Sequence, residues 1–190
     1  PLAHHILEGD FVCLPAMIDA HTHCCWAGSR AADFAARMAG KSYLDIAAAG
    51  GGIMDTVRKT RNAGLQELAD LTTSRANSLF SKGTTTIEIK SGYGLTVAAE
   101  LKMLEAIKIS NYYARARLIP TCLAAHTLPS GFIGNEHDYL KMITEELLPE
   151  VKKSNLSRRV DVFIEKGAFS EKAARKYLTD ARSMGFDVVI

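Results

Sequence analysis

The chain has 190 residues, of which 47% are apolar and 23% are charged, a composition typical of a globular domain with one sizeable core. Its formal net charge of +2 is too balanced to indicate a nucleic acid or an anionic membrane surface as a partner. No apolar run approaches the roughly 18 residues of a membrane span, and no secretory signal pattern is present, so we expect no membrane partner and a cytoplasmic location.

The four cysteines and the first two histidines do not indicate a disulfide pattern or a metal site. Four cysteines in a chain of this length do not form a disulfide pattern, and we expect free thiols. Cys24 and Cys25 directly follow His23, but adjacent side chains diverge, and structural zinc sites usually space their cysteines by about two to four residues. We interpret His4 and His5 as part of an end segment rather than as ligands.

The first chemical signal lies in residues 15–23, which read P-A-M-I-D-A-H-T-H. Residues 1–14 lack clear periodicity, and we interpret them as a linker or the remnant of an N-terminal β segment. If 15–23 forms a strand, its period of two places His21 and His23 on one face. Imidazole suits zinc and iron, and a catalytic ion usually takes about three protein ligands, so this pair predicts half of a one-metal site.

Helical and strand patterns alternate along the rest of the chain. Three glycines at 50–52 precede a helical run, and because no Gly-Lys-Ser/Thr follows, we interpret them as a substrate-facing turn. We expect Pro120 to delay strand pairing until Thr121, and Pro149 to end or kink its helix. The predicted helices are 28–40, 42–49, 54–63, 65–82, 97–107, 139–151 and 170–184, and the later strands are 84–90, 118–125, 160–165 and 187–190.

Two of the predicted strands alternate between apolar and polar side chains. Strand 84–90 divides its isoleucines from Glu88 and Lys90, which we expect to form an interior ion pair rather than a catalytic dyad. Strand 160–165 repeats this division, with Glu165 pointing inward at its end. A strand with one apolar and one polar face suits a barrel whose interior becomes hydrophilic towards the active site.

About five β units separated by helices predict an α/β fold with a parallel sheet, either doubly wound or a (β/α)8 barrel. His21, His23, Tyr93 and His126 fall at the C-terminal ends of different strands, which favours the barrel. A complete barrel needs eight strands in about 250 residues. We therefore expect 15–190 to form a partial TIM-like barrel domain holding about the first five βα units, with open edges that make a homodimer possible.

Six segments together carry a family resemblance that covers almost the whole chain from Pro15 onward. They are P-A-M-I-D-A-H-T-H, G-S-R-A-A-D-F, A-G-G-G-I-M-D-T-V-R-K-T-R, E-I-K-S-G-Y-G-L, A-A-H-T-L-P and V-D-V-F-I-E. The chain resembles the amidohydrolase superfamily and, within it, the enzymes that open the imidazolone ring in histidine degradation. H-x-H identifies only the superfamily, whereas the combination of the later motifs is specific to these enzymes.

The resemblance implies a role for each matching residue. His21 and His23 match ligands of a single zinc or iron ion, one per subunit. Arg30 matches a substrate-binding arginine, whose planar fork suits a carboxylate, and Tyr43 is expected to bind the same carboxylate. Tyr93, between two glycines that let the loop approach a small ligand closely, matches a substrate-contacting tyrosine. His126 matches a catalytic, substrate-binding histidine that polarises or hydrogen-bonds the ring carbonyl.

The implied reaction is hydrolysis of the cyclic amide of 4-imidazolone-5-propanoate to N-formimidoyl-L-glutamate by a metal-activated water. The family's remaining metal ligands and its catalytic glutamate would lie beyond Ile190, so we expect the 190 residues alone not to turn over. Two alternatives stay open. One is another mononuclear amidohydrolase, such as a cyclic amidine deaminase, and the other is a non-catalytic metal- or ligand-binding remnant.

Overall fold

The computed structural model describes residues 9–190 and contains a parallel five-stranded sheet whose strands lie side by side in chain order. All four neighbouring pairs are parallel, which confirms the predicted α/β class. The strands are β1 (Met17–Thr22), β2 (Thr84–Lys90), β3 (Arg117–Ala125), β4 (Arg159–Val162) and β5 (Asp187–Val188). His4 and His5, and residues 1–8 of the predicted N-terminal segment, lie outside the described residues.

Helices connect the strands and pack mainly against one face of the sheet. They are α1 (Ala31–Met38), α2 (Tyr43–Ala48), α3 (Ile53–Asn62), α4 (Leu65–Phe80), α5 (Val97–Tyr113), α6 (Glu136–Met142), α7 (Leu148–Lys153) and α8 (Glu171–Ser183), with a π-helical turn at Ile143–Leu147. The core includes Ile87 and Ile89 of β2 and Leu104 of α5, all fully buried.

Among residues 9–190, no helix combines the length and apolar character that crossing a membrane requires.

Pro120 has a smaller effect on strand pairing than the sequence predicts, and Pro149 lies where its helix changes hydrogen-bond pattern. Pro120 already pairs with Ile89 of β2, so the prediction that pairing waits until Thr121 was wrong on this side of β3. The prediction holds on the β4 side of β3, where pairing begins at Thr121. The N–H that Pro120 lacks therefore interrupts no bond between β3 and β4. Pro149 lies in the first turn of α7, directly after the π-helical turn, where the helical hydrogen bonds already change pattern.

The second face of the sheet carries a buried polar cluster near the C-terminal ends of the strands. Lys90 Nζ lies 2.9 Å from Glu88 Oε2 and 2.7 Å from Asp161 Oδ2, and the lysine side chain is 1% exposed. Thr121 Oγ1 donates to Glu88 Oε1 at 2.6 Å. The predicted interior ion pair is thus confirmed, and a second carboxylate joins it.

Glu165 does not point inward as predicted. Strand β4 ends at Val162, and Glu165 lies in an exposed turn, where its Oε1 accepts from the backbone N–H of Lys166 at 2.8 Å. The last backbone bond between β4 and β3 is donated by the Phe163 N–H to the Ala125 carbonyl at 3.0 Å, and Glu165 lies beyond it. Asp161 of β4 does face inward, where it pairs with Lys90, and Arg159 on the same face lies 3.7 Å from Glu88.

Candidate active site

The two histidines of H-x-H lie at the end of β1 with their rings side by side. His21 is the fifth residue of the strand, and His23 directly follows it. Their ring centroids are 5.4 Å apart. The alternation of the strand therefore brings the two imidazoles to one side, as the spacing predicts.

Two further rings join His23 from neighbouring strand ends. Tyr93 follows β2, and its ring centroid lies 5.7 Å from that of His23. His126 follows β3 and stacks on His23 at 5.3 Å, and it lies 5.5 Å from Tyr93. We refer to His21, His23, Tyr93 and His126 as the four-ring cluster. Parallel strands end at one edge of a sheet, which is why residues more than 100 positions apart meet here.

The orientation of His126 is fixed by the loop after β2. Its Nδ1 lies 2.9 Å from the carbonyl oxygen of Gly92, which can only accept, so Nδ1 carries the proton. The Nε2 lone pair of the neutral ring is then left free. Phe163 packs edge-on against the imidazole, with 6.0 Å between ring centroids.

Burial favours the neutral forms of His23 and His126. It lowers the pKa of His23 from 6.5 to about 4, and the charges of His126 and His21 act in the same direction. Burial also lowers the pKa of His126. Burial raises the pKa of Tyr93, against a smaller opposing effect of the Arg30 charge. Near neutral pH the site therefore presents the neutral imidazoles of His23 and His126 and the protonated phenol of Tyr93.

The His23 ring is suited to binding a metal. Its Nδ1 is buried and has no hydrogen-bond partner among residues 9–190, a costly state that a metal ion would relieve. A neutral imidazole is the form that binds zinc or iron. The described part of the chain contains no group of three His, Cys, Asp or Glu side chains arranged around a common point. The buried, unpaired Nδ1 of His23 and the neighbouring ring of His21 fit part of a ligand set.

The low pKa of His23 makes stability depend on pH. Between about pH 4 and pH 6.5 the unfolded chain protonates His23 while the folded chain does not, so lowering the pH through this window favours unfolding. We expect the free energy of unfolding of the chelator-treated chain to fall more steeply across this window than that of a His23→Asn variant. Urea titrations at several pH values measure this, and identical slopes would contradict it.

Arg30 and Tyr43 lie at the N-terminal ends of the first two helices. Arg30 precedes α1, and its Nε pairs with Asp33 Oδ2 at 3.0 Å, with the arginine side chain 42% exposed. Asp33 also accepts from the backbone N–H of Gly52 at 2.9 Å, so the three-glycine turn packs against α1. Tyr43 is 59% exposed, and within residues 9–190 no hydrogen bond or ring contact joins it to the four-ring cluster.

The cysteines that follow His23 do not face the cluster as ligands. Cys25 is fully buried in the core, where its Sγ donates to the Met103 carbonyl at 3.6 Å. Burial raises the pKa of the Cys25 thiol to about 12, which excludes the thiolate that metal binding needs. Burial also raises the pKa of Cys24. The structure therefore disfavours a mixed His/Cys zinc site.

The sequence reasoning missed Glu100, which is buried beneath the loop after β2. Its carboxylate accepts three backbone N–H bonds from residues 92–95. One signal was available, because Glu100 lies three and four residues before Met103 and Leu104 and so on the apolar face of its helix. An acidic residue on a buried face requires specific partners.

Comparison with known proteins gives close relatives but no matching family model. The chain is 48% identical over 178 residues to the imidazolonepropionase of Bdellovibrio bacteriovorus, which covers 93% of this chain and 41% of that protein. For the enzyme of Myxococcus xanthus the identity is 44%, covering 94% and 42%, and for that of Vibrio cholerae it is 41%, covering 98% and 46%. The chain thus spans less than half the length of these curated relatives. Identity at this level over nearly the whole chain confirms the resemblance, and the chain is homologous to a segment of the imidazolonepropionases.

Proposed function

We propose that this chain forms part of a hydrolase that opens the ring of 4-imidazolone-5-propanoate to give N-formimidoyl-L-glutamate in histidine degradation. The observation that supports this best is the four-ring cluster, in which H-x-H, S-G-Y-G and A-H-T-L-P meet with 5.3 to 5.7 Å between neighbouring ring centroids. The names of the relatives supply the substrate, and the cluster supplies side chains suited to it.

The strand order supports a partial barrel rather than a doubly wound sheet. A doubly wound sheet reverses its strand order at a switch point, where its ligands bind. The sheet here runs from β1 to β5 without reversal, and its candidate site lies at the C-terminal ends of three successive strands. This is where (β/α)8 barrels build their active sites. We therefore propose that the chain is an arc of such a barrel.

In this proposal His21 and His23 are ligands of one zinc or iron ion. A bound ion would supply a water of lowered pKa as the nucleophile and a positive charge for the developing oxyanion. The neutral His23 ring needs no proton release before it binds, because burial already lowers its pKa to about 4. The remaining ligands and a general base come from outside the described residues.

Tyr93, His126, Arg30 and Tyr43 are proposed to bind the substrate. The Tyr93 phenol stays protonated and so donates a hydrogen bond, for which the ring carbonyl is a suitable acceptor. Neutral His126, with its proton on Nδ1, presents Nε2 as an acceptor suited to a ring N–H, and donation to the carbonyl would require a second proton. Arg30 supplies the charge for the propanoate carboxylate, with Tyr43 as a further donor.

The test is an assay of the complete gene product that contains these residues, loaded with zinc or iron. Incubation with 4-imidazolone-5-propanoate is expected to yield N-formimidoyl-L-glutamate, detected by mass spectrometry. Release of ammonia from cyclic amidines, without ring opening of the imidazolone, would favour the deaminase instead. No conversion of either substrate with either metal would contradict both the ring-opening hydrolase and the deaminase. The 190-residue chain assayed alone is expected to be inactive, and turnover by it would contradict the proposed incompleteness.

Two further parts of the proposal concern the cellular compartment and the oligomeric state. Free buried thiols at Cys24, Cys25 and Cys122 suit a reducing compartment, which supports a cytoplasmic location. In the 190-residue chain Met17 and Ile18 of the edge strand β1 are 55% and 71% exposed, which supports association of this chain through the edge, with a homodimer as the simplest case. Sedimentation analysis of the 190-residue chain tests this, because a closed barrel would cover the same edge with another of its own strands.

A further inference from the structure

We infer that Glu100 is a positioning residue of the candidate active site, because its carboxylate holds the loop at 91–95 that orients both Tyr93 and His126. Glu100 is thereby added to the residues of the proposed site, and its effect on turnover rests on the proposed function. Its hydrogen bonds to the loop belong to the structure of this chain and do not depend on that function.

The carboxylate of Glu100 is shared among three backbone donors. Its Oε2 accepts from the N–H of Gly92 at 3.0 Å, and its Oε1 accepts from the N–H groups of Gly94 and Leu95, each at 2.8 Å. The side chain has no solvent exposure. Within residues 9–190 no Lys, Arg or His forms an ion pair with it, so these N–H groups and the N-terminal end of α5 stabilise its charge.

Gly92 connects this carboxylate to His126. Its N–H donates to Glu100, and its carbonyl accepts from His126 Nδ1 at 2.9 Å. Its φ of +106° and its surroundings admit only glycine, since a Cβ would lie 2.7 Å from the Leu123 carbonyl oxygen and 3.0 Å from His126 Nδ1. A shift of the Glu100 carboxylate therefore moves the carbonyl that sets the tautomer of His126.

Gly94 gives the loop its second tight contact. A Cβ at this position would lie 2.6 Å from the backbone of Ala99 and from the Glu100 nitrogen, so the loop rests directly on the first turn of α5. We predicted that the glycines flanking Tyr93 allow close approach of a ligand. In the structure they allow close approach of the loop to the protein itself, and Tyr93 is held between two bonded peptide groups.

The charge of Glu100 matters as well as its shape. Glutamine has nearly the same size, but one of its two terminal atoms is an NH2 group, which cannot accept from an N–H. A Glu100→Gln variant therefore leaves at least one buried backbone donor facing another donor. Removing an acceptor in this way leaves the donor unsatisfied, and the loop is expected to rearrange to relieve it.

The test is 15N NMR of the histidine side chains of the 190-residue chain at one fixed, mildly alkaline pH, at which imidazoles are neutral. The unaltered chain is expected to show His126 with its proton on Nδ1. Glu100→Gln is expected to shift His126 towards a mixture of tautomers and to change the Tyr93 ring signals. Glu105→Gln, an exposed glutamate of the same helix, is the matched control and should change neither.

His137 of α6 serves as the internal reference. A folded Glu100→Gln chain with an unchanged His126 tautomer overturns the inference. If that variant does not fold, Glu100→Asp, which keeps the charge on a shorter side chain, is judged by the same His126 and Tyr93 signals. Shifts of His137 as large as those of His126, or loss of signal dispersion in both variants, would mean that Glu100 only stabilises the fold.

In the complete gene product the same variant is expected to lower kcat/KM by roughly 100-fold, since misplacement of orienting groups by about 1 Å has this order of effect. An altered tautomer in a product that never opens the imidazolone ring would support the inference and contradict the proposed function. An unchanged His126 tautomer in an enzyme that opens the ring would contradict the inference and support the proposed function.

Discussion

Replacing Lys90 by methionine is expected to lower the free energy of unfolding by about 3–5 kcal/mol, the typical cost of breaking a buried ion pair by removing one partner. The lysine is 1% exposed and lies 2.9 Å from Glu88 and 2.7 Å from Asp161. Its removal leaves the buried Asp161 carboxylate without a cation and leaves Glu88 only the longer, half-exposed pair with Arg159 at 3.7 Å. Urea unfolding of the 190-residue chain, followed by circular dichroism, measures the change.

Two further variants separate this effect from a general loss of charge. Lys176→Met removes an exposed pair with Asp180 and should cost at most about 1 kcal/mol. A triple variant, Lys90→Met with Glu88→Gln and Asp161→Asn, removes the charges together and should recover part of the loss. A change below about 1 kcal/mol for Lys90→Met alone would mean that the carboxylates find water or protons instead.

Replacing His21 or His23 by asparagine is expected to abolish ring opening by the complete gene product and to weaken its metal binding. The loss of affinity should exceed the roughly 10–100-fold cost of losing an outer-shell partner, because a direct ligand is removed. Competition with a chelating dye measures the affinity. His137→Asn, in α6 and outside the four-ring cluster, is the matched control and should leave both properties unchanged. Full metal content in both variants would contradict the assignment of the pair.

Much of the candidate site could be predicted because periodicity and topology act together. The period of two in 15–23 places His21 beside His23, and the rule that parallel strands end at one edge brings Tyr93 and His126 to them. Neither step needs the details of packing. The parallel sheet followed in the same way from the alternation of strand and helix patterns.

The remaining features depend on partners that periodicity does not reveal. Alternation predicted an inward Glu165, but β4 ends at Val162, and the last bond to β3 is donated by the Phe163 N–H to the Ala125 carbonyl. The pattern of α5 places Glu100 on the apolar face of its helix, but it does not reveal the backbone N–H groups that compensate the charge. Satisfaction of a buried charge is a property of the assembled loop and not of any local sequence window.

Anomalous X-ray diffraction at the zinc and iron edges, from crystals of the complete gene product, shows directly whether His21 and His23 bind a metal ion. We expect one ion per chain, about 2.0–2.1 Å from a ring nitrogen of His21 and of His23, and next to Tyr93 and His126. An active protein whose ion binds elsewhere, with both rings free of metal, would contradict this expectation.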